Sequence, residues 1–187
     1  MIELKHTDEP PGLIRYRRKN PNASWGQATP KINKDEIHRA LDLEQNGLCV
    51  YCEGEIDRNN CHLEHIKPKG GGFQNLTFVY NNLAQSCNKK DHCGHLKANN
   101  VIPIEPRLGC NSFFQLMAFD GILVPAANLT EADKNKAKTT LRLLGLNSPD
   151  LASQRRKYAL SLQSLNNPLE IHDFLQTSEF PYTLKSL

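Results

Sequence analysis

Apolar and polar positions alternate without a stable period over the first 31 residues. Pro10, Pro11, Gly12, Pro21, Gly26 and Pro30 break the stretch up, so it reads as an extended arm with at most one short helix. A clear helix follows. Asn33 can cap it and Glu36, three residues on, fits a capping box; Ile37, Ala40 and Leu41 form the apolar stripe, and Gly47 stops it. From Leu48 to about Lys97 the pattern falls into short pieces. Cys49-Val50-Tyr51-Cys52 is a tight turn, and His62-Leu63-Glu64-His65-Ile66 alternates as a strand does. Pro68 to Gly72 must be a loop. Leu76 to Ala84 predicts a second strand, and Cys93 to about Asn99 a short helix.

The last third turns helical after one hairpin. Asp120-Gly121 lies between the apolar runs 113–119 and 122–124, a hairpin signal. Thr130 caps a helix whose Ala137, Leu141 and Leu144 share a face, ended by Gly145. Ser148 caps the next, with Pro149 in its first turn and a stripe of Leu151, Tyr158, Leu162 and Leu165. Pro168 opens a short last helix.

Composition narrows the class. With 187 residues, 39% hydrophobic and 23% charged, the chain can bury a core of its own. No apolar run approaches the roughly 18 residues of a membrane span, and MIELKHTDEPPG lacks the order of a secretory leader, so no membrane association and a cytoplasmic location are expected. In that reducing setting six cysteines point to metal rather than disulfides. The net charge of +3 is too small to announce a nucleic-acid binder, but its distribution is uneven. Residues 41–106 carry six Lys/Arg against eight Asp/Glu, while basic clusters flank them: Arg15, Arg17, Arg18 and Lys19 before, Arg155, Arg156 and Lys157 after. Basic flanks can hold phosphates while an acidic centre holds a cation; short charge runs are also ordinary solvated surface.

Cys49 and Cys52 make a knuckle, and Cys87 and Cys93 a second, looser pair; two such pairs suit a tetrahedral structural zinc. The segment from 48 to 97 has few large apolar residues, which gives the staple a physical motive. The alternative is four unrelated buried cysteines. Cys61 and Cys110 are left over and read as small buried hydrophobes.

His62, His65, His92 and His95 lie close together in sequence, with Glu64 among them. A carboxylate suits Mg²⁺ or Mn²⁺, and a neutral imidazole can take a proton from water, which together are the needs of phosphodiester hydrolysis. In a regular strand Glu64 and His65 point to opposite faces, so one shared site requires a twist or bend. Otherwise these histidines complete the zinc shell or cap a turn.

The order Cys49-x-x-Cys52, Glu64-His65-Ile66 with Pro68, Asn82-Leu83, Cys87, Cys93 and Lys97 resembles an HNH endonuclease. The arm, the hairpin, and Thr140 to Asn147 followed by Leu151 and Arg155 are similar to one subgroup, the PtuB-like component of Septu-type and retron-associated antiphage defence systems. The resemblance implies an α+β fold: a zinc-stapled ββα-metal core at 33–106, an N-terminal arm at 1–32 for partner docking, and a β-hairpin with helices at 107–187. It implies His65 as general base, Glu64 as metal ligand and Asn82 as the residue that orients the base. It further implies a catalytic Mg²⁺ or Mn²⁺, a nucleic-acid substrate (DNA favoured, RNA possible) and an SMC/ABC-like partner ATPase. One departure stands out. The usual second metal ligand falls at Gly94, which has no side chain, so His62, His95, Asn88 or water must complete the shell. A zinc-stapled adaptor without catalysis is the competing reading. Arg15, Arg17, Arg18, Lys67, Lys69, Lys97 and Arg155 to Lys157 are the candidate phosphate contacts.

Overall fold

A computed structural model describes residues 1–28 and 32–187; Pro30 lies outside the described residues. The first residues are docked rather than extended. Helix α1 spans Pro11–Lys19 with proline in its first turn, and α2 spans Trp25–Ala28. Before them, Ile2 N–H donates to Val50 O at 2.9 Å, Leu4 pairs with Arg107 in a parallel bridge, and Met1, Ile2 and Leu4 are buried. These apolar side chains fill space against the cysteine knuckle, and burial outweighs the loss of chain freedom.

Helix α3 (Lys34–Gln45) begins where the sequence places it, with the Asn33 side chain accepting from Glu36 N–H. The box is not reciprocal, because the Glu36 carboxylate accepts from Gly12 N–H at 3.2 Å and ties α1 to α3. Asn46 takes the left-handed position that ends the helix.

Strand β1 (Cys61–His65) pairs antiparallel with β2 (Leu83–Cys87), placing Glu64 opposite Ala84 and His65 opposite Leu83. The second strand therefore starts at 83, not 76. Residues 74–82 instead form two 3₁₀ turns, Gln74–Leu76 and Tyr80–Asn82. The cause is Asn82: its amide accepts from Lys67 N–H (2.8 Å) and donates to Lys67 O (3.0 Å) and Leu76 O (3.3 Å), folding the segment back on the end of β1. Helix α4 (Cys93–Lys97) follows β2, so the order is strand, strand, helix.

Beyond it, β3 (Phe114–Met117) and β4 (Ile122–Pro125) form the expected hairpin. Gly121 is required there: its φ is +74°, and a Cβ would stand 1.9 Å from Ala152 O. Helices α5 (Glu131–Leu144), α6 (Pro149–Gln163), α7 (Pro168–Thr177) and the short α8 (Pro181–Leu184) complete the described chain. Thr130 caps α5 as expected, but the Ser148 hydroxyl makes no cap bond and is buried without a partner among the described residues. The sequence reading missed α8.

Two apolar clusters result among the described residues. One joins α1, α3 and the 74–83 segment through Leu13, Ile37, Leu41, Phe78 and Leu83. The larger joins the knuckle, the hairpin, α5, α6 and α8. Glu53 links its parts. Its carboxylate takes the Met1 amino group (2.6 Å), Tyr182 N–H (2.8 Å) and both the N–H and the hydroxyl of Thr183.

Candidate metal and catalytic centre

The four cysteines of the two pairs converge. All are buried, and their sulfurs lie within 4.8 Å of one another. Cys49 and Cys93 Sγ are 3.7 Å apart, and four thiolates around a tetrahedral zinc at about 2.3 Å stand about 3.8 Å apart. Cys87 N–H donates to Cys49 Sγ at 3.3 Å, the type of contact that steadies a thiolate. Hydrogen bonds from Cys49, then Cys52 and Cys93, hold the Cys87 thiol far below its ordinary range. The donor set fits a structural zinc. His92 Nδ1 lies 3.0 Å from Cys93 Sγ, beside this cluster. Of the remaining cysteines, Cys110 is buried as expected, while Cys61 is half-buried with its sulfur 3.2 Å from Gln85 Oε1.

On one face of β1, Glu64 is buried in a polar nest. Its Oε1 receives Lys97 Nζ (2.8 Å) and the Tyr51 hydroxyl (3.1 Å), and its Oε2 faces His62 Nε2 at 3.4 Å. Burial favours the neutral acid, yet His62 and Lys97 outweigh it and hold the carboxyl below its usual value. His62 Nδ1 meets Asn88 Oδ1 at 2.9 Å, and its ring lies 4.7 Å from that of His95, which is exposed.

His65 has a different neighbourhood. Its ring packs edge-on with Trp25 at 4.6 Å, and Nε2 lies 3.0 Å from Thr77 O. A carbonyl only accepts, so Nε2 carries the proton and Nδ1 is the basic nitrogen. Desolvation, only partly offset by the Thr77 bond, lowers the imidazole to about 4, so it is neutral at neutral pH. Glu64 and Lys97 reach it electrostatically, but no contact joins Glu64 to His65. The strand keeps its alternation, and no bend brings the two side chains together.

The basic residues divide. Arg15 and Arg18 are exposed on α1, and exposed Lys69 sits 5.9 Å over the Trp25 ring. Arg17 is held by Glu9 and by Phe78 O, and half-buried Lys67 faces Glu105 at 3.4 Å. Lys97 is buried against Glu64, inside the centre rather than on a basic surface. Arg155 is not a phosphate contact: it is buried and donates to Leu151 O and Leu146 O. Arg156 and Lys157 remain exposed. Sequence reasoning missed Tyr51, Thr77 and Trp25. Thr77 acts through its backbone, which leaves no side-chain signal. Tyr51, an aromatic between two cysteines, carries a faint one.

The chain matches no protein-family model. It is 34% identical over 208 aligned positions to a Vibrio cholerae protein named "Retron Vc95 putative HNH endonuclease", covering 100% of this chain and 99% of that protein. It is 28% identical to the Escherichia coli retron Ec83 protein of the same designation, over 60% of this chain and 45% of the relative. It is also 32% identical to the Septu protein PtuB of Bacillus thuringiensis, over 57% of this chain and 40% of the relative.

Proposed function

The chain belongs to the HNH endonucleases of retron and Septu defence systems, and from that premise we propose that it is a divalent-metal-dependent nuclease with His65 as general base. Strands β1 and β2 with helix α4, stapled by zinc on Cys49, Cys52, Cys87 and Cys93, serve as the ββα-metal unit. The observation that carries the reading is the state of His65: neutral, fixed through Nε2 by Thr77 O, with Nδ1 left as the proton acceptor.

A divalent cation, Mg²⁺ or Mn²⁺, held by Glu64 with His62 or His95, would neutralise charge on the scissile phosphate and the departing oxygen. The protein's own groups do the rest. His65 Nδ1 takes a proton from the attacking water, and Thr77 O supports the imidazolium that forms. Asn82 fixes the Thr77 segment to the strand end through its bonds to Lys67 and Leu76, so it positions the base at one remove. In this reading the phosphate crosses the end of the β1–β2 ladder, between Glu64 on one face of β1 and His65 on the other. Arg15, Arg18 and Lys69 offer exposed charge to the flanking backbone. DNA is the favoured substrate, by analogy with HNH enzymes at large. An SMC/ABC-like ATPase is the proposed partner in antiphage defence. No helix among the described residues is long and apolar enough to cross a membrane.

The test is cleavage of plasmid DNA and of tRNA by the zinc-loaded chain, alone and co-expressed with its partner, in Mg²⁺, Mn²⁺ or EDTA. Phosphodiester cleavage that requires the divalent ion is expected. Cleavage undiminished by EDTA contradicts the reading, as does none under any condition, the result an adaptor without catalysis would give.

A further inference from the structure

Resting on the metal-dependent reading above, we propose that His62 and Glu64 of β1 form a mixed nitrogen–oxygen pair that selects Mn²⁺ over Mg²⁺, in a space kept open by Gly94 of α4.

The argument starts from Asn88. Its Nδ2 donates to Cys61 O at 3.3 Å, which turns Oδ1 towards His62 Nδ1 at 2.9 Å. The His62 Nδ1 therefore carries a proton, and in the neutral ring Nε2 presents a lone pair. That lone pair faces Glu64 Oε2 at 3.4 Å, and Oε2 is the carboxylate oxygen that Tyr51 and Lys97 do not take. Two lone-pair atoms held face to face require a positive charge between them, either a proton or a cation. Two donors on one ion, with bonds of about 2.0–2.2 Å, stand about 2.8–3.6 Å apart between octahedral and tetrahedral angles, a range that admits the observed separation for a shared cation.

Gly94 explains how the pair is accommodated. A Cβ there would stand 2.7 Å from Glu64 Oε2, 2.7 Å from His62 Nε2 and 3.0 Å from Ser86 Oγ. Any side chain at 94 would enter the volume the two donor atoms occupy. The backbone of α4 is fixed in this approach, since Gly94 N–H donates to Ser86 Oγ at 3.1 Å. The imidazole thus reaches from the strand into space that the helix leaves empty. Exposed His95, whose ring is 4.7 Å from that of His62, stands at the mouth. The donor set also tells against Mg²⁺. Mg²⁺ is bound through oxygen, whereas an imidazole nitrogen favours first-row transition ions.

The experiment is Mn²⁺ and Mg²⁺ binding by titration calorimetry and Mn²⁺ electron paramagnetic resonance. It uses the full zinc-loaded chain and the variants His62→Ala, Glu64→Gln and Gly94→Ala, with zinc content and far-UV dichroism as fold controls. Wild type should bind one Mn²⁺ beyond its structural zinc, at least tenfold tighter than Mg²⁺. His62→Ala should weaken Mn²⁺ at least tenfold and erase the preference. Gly94→Ala should also lose Mn²⁺ while keeping zinc and fold, because the atoms it displaces are the ends of flexible side chains. It keeps the test decisive should His62→Ala fail to fold. Unchanged Mn²⁺ affinity in a folded His62→Ala, with loss in Glu64→Gln, would overturn the role of His62 and leave the nuclease reading standing. A wild-type chain that binds no second divalent ion would overturn both.

Discussion

At the scale of single residues, the centre is built by side chains that hold one another in fixed protonation states. Lys97 and Tyr51 hold one oxygen of Glu64, His62 faces the other, and Thr77 O fixes the tautomer of His65. Asn82 acts furthest from the chemistry. Its side chain makes three hydrogen bonds to backbone and none to His65. Asn82→Ala should therefore cost about 1–3 kcal/mol of stability and lower kcat more than KM, measured by denaturation and steady-state cleavage. An unchanged kcat would deny it a positioning role. Much of this was legible in the sequence: Glu64, His65 and Asn82 stand in motif order, and His62 and His95 were candidates to cover for Gly94. What was hidden is tertiary. Thr77 contributes a carbonyl that any residue could supply. Nothing in the run Arg155-Arg156-Lys157 separates a buried guanidinium from its two exposed neighbours.

At the scale of elements, strands β1 and β2 are too short to hold their shape without support. Each has five residues, and the strands make a two-stranded sheet, which is marginal in water. Support comes from α3 on one side and the cysteine cluster on the other. Capping chemistry located α3, α5 and the hairpin within a residue or two, because Asn33, Thr130 and Gly121 act locally. It failed for 74–82, where the apolar spacing of Leu76, Phe78 and Tyr80 imitates a strand but the Asn82 bonds impose turns. If the cysteines hold zinc, removing it with a strong chelator should release one zinc per chain and melt the 48–97 region first, seen as loss of amide-exchange protection there while α5 and α6 persist. Full protection of β1 and β2 in zinc-free protein would show that the cluster is not a staple.

At the scale of the whole molecule, the segments read from sequence as arm, core and helical tail share one larger apolar cluster, and Glu53 ties the first residue and α8 to the knuckle. This unity bears on pH. Burial lowers the pKa of His6 and His38 in the fold, outweighing the raising effect of the Leu83 bond on the first and the Gln85 bond on the second. Both folded values lie below the ordinary 6.5. Below pH 6.5 the unfolded chain takes up protons that the fold refuses. The stability these rings confer is thus complete above 6.5 and lost as pH falls through their lower folded values. The urea midpoint should drop between pH 7.5 and 5.5, and drop less in His6→Gln and His38→Gln. A midpoint with the same pH dependence in both variants would contradict this.

The central claim is that His65 is the base of a nuclease, and it is tested most directly by cleavage assays on His65→Ala, with zinc content and thermal unfolding measured on the same preparation. The account predicts loss of cleavage by at least two orders of magnitude, with one zinc per chain and a cooperative unfolding transition retained. Wild-type cleavage by that variant would contradict it.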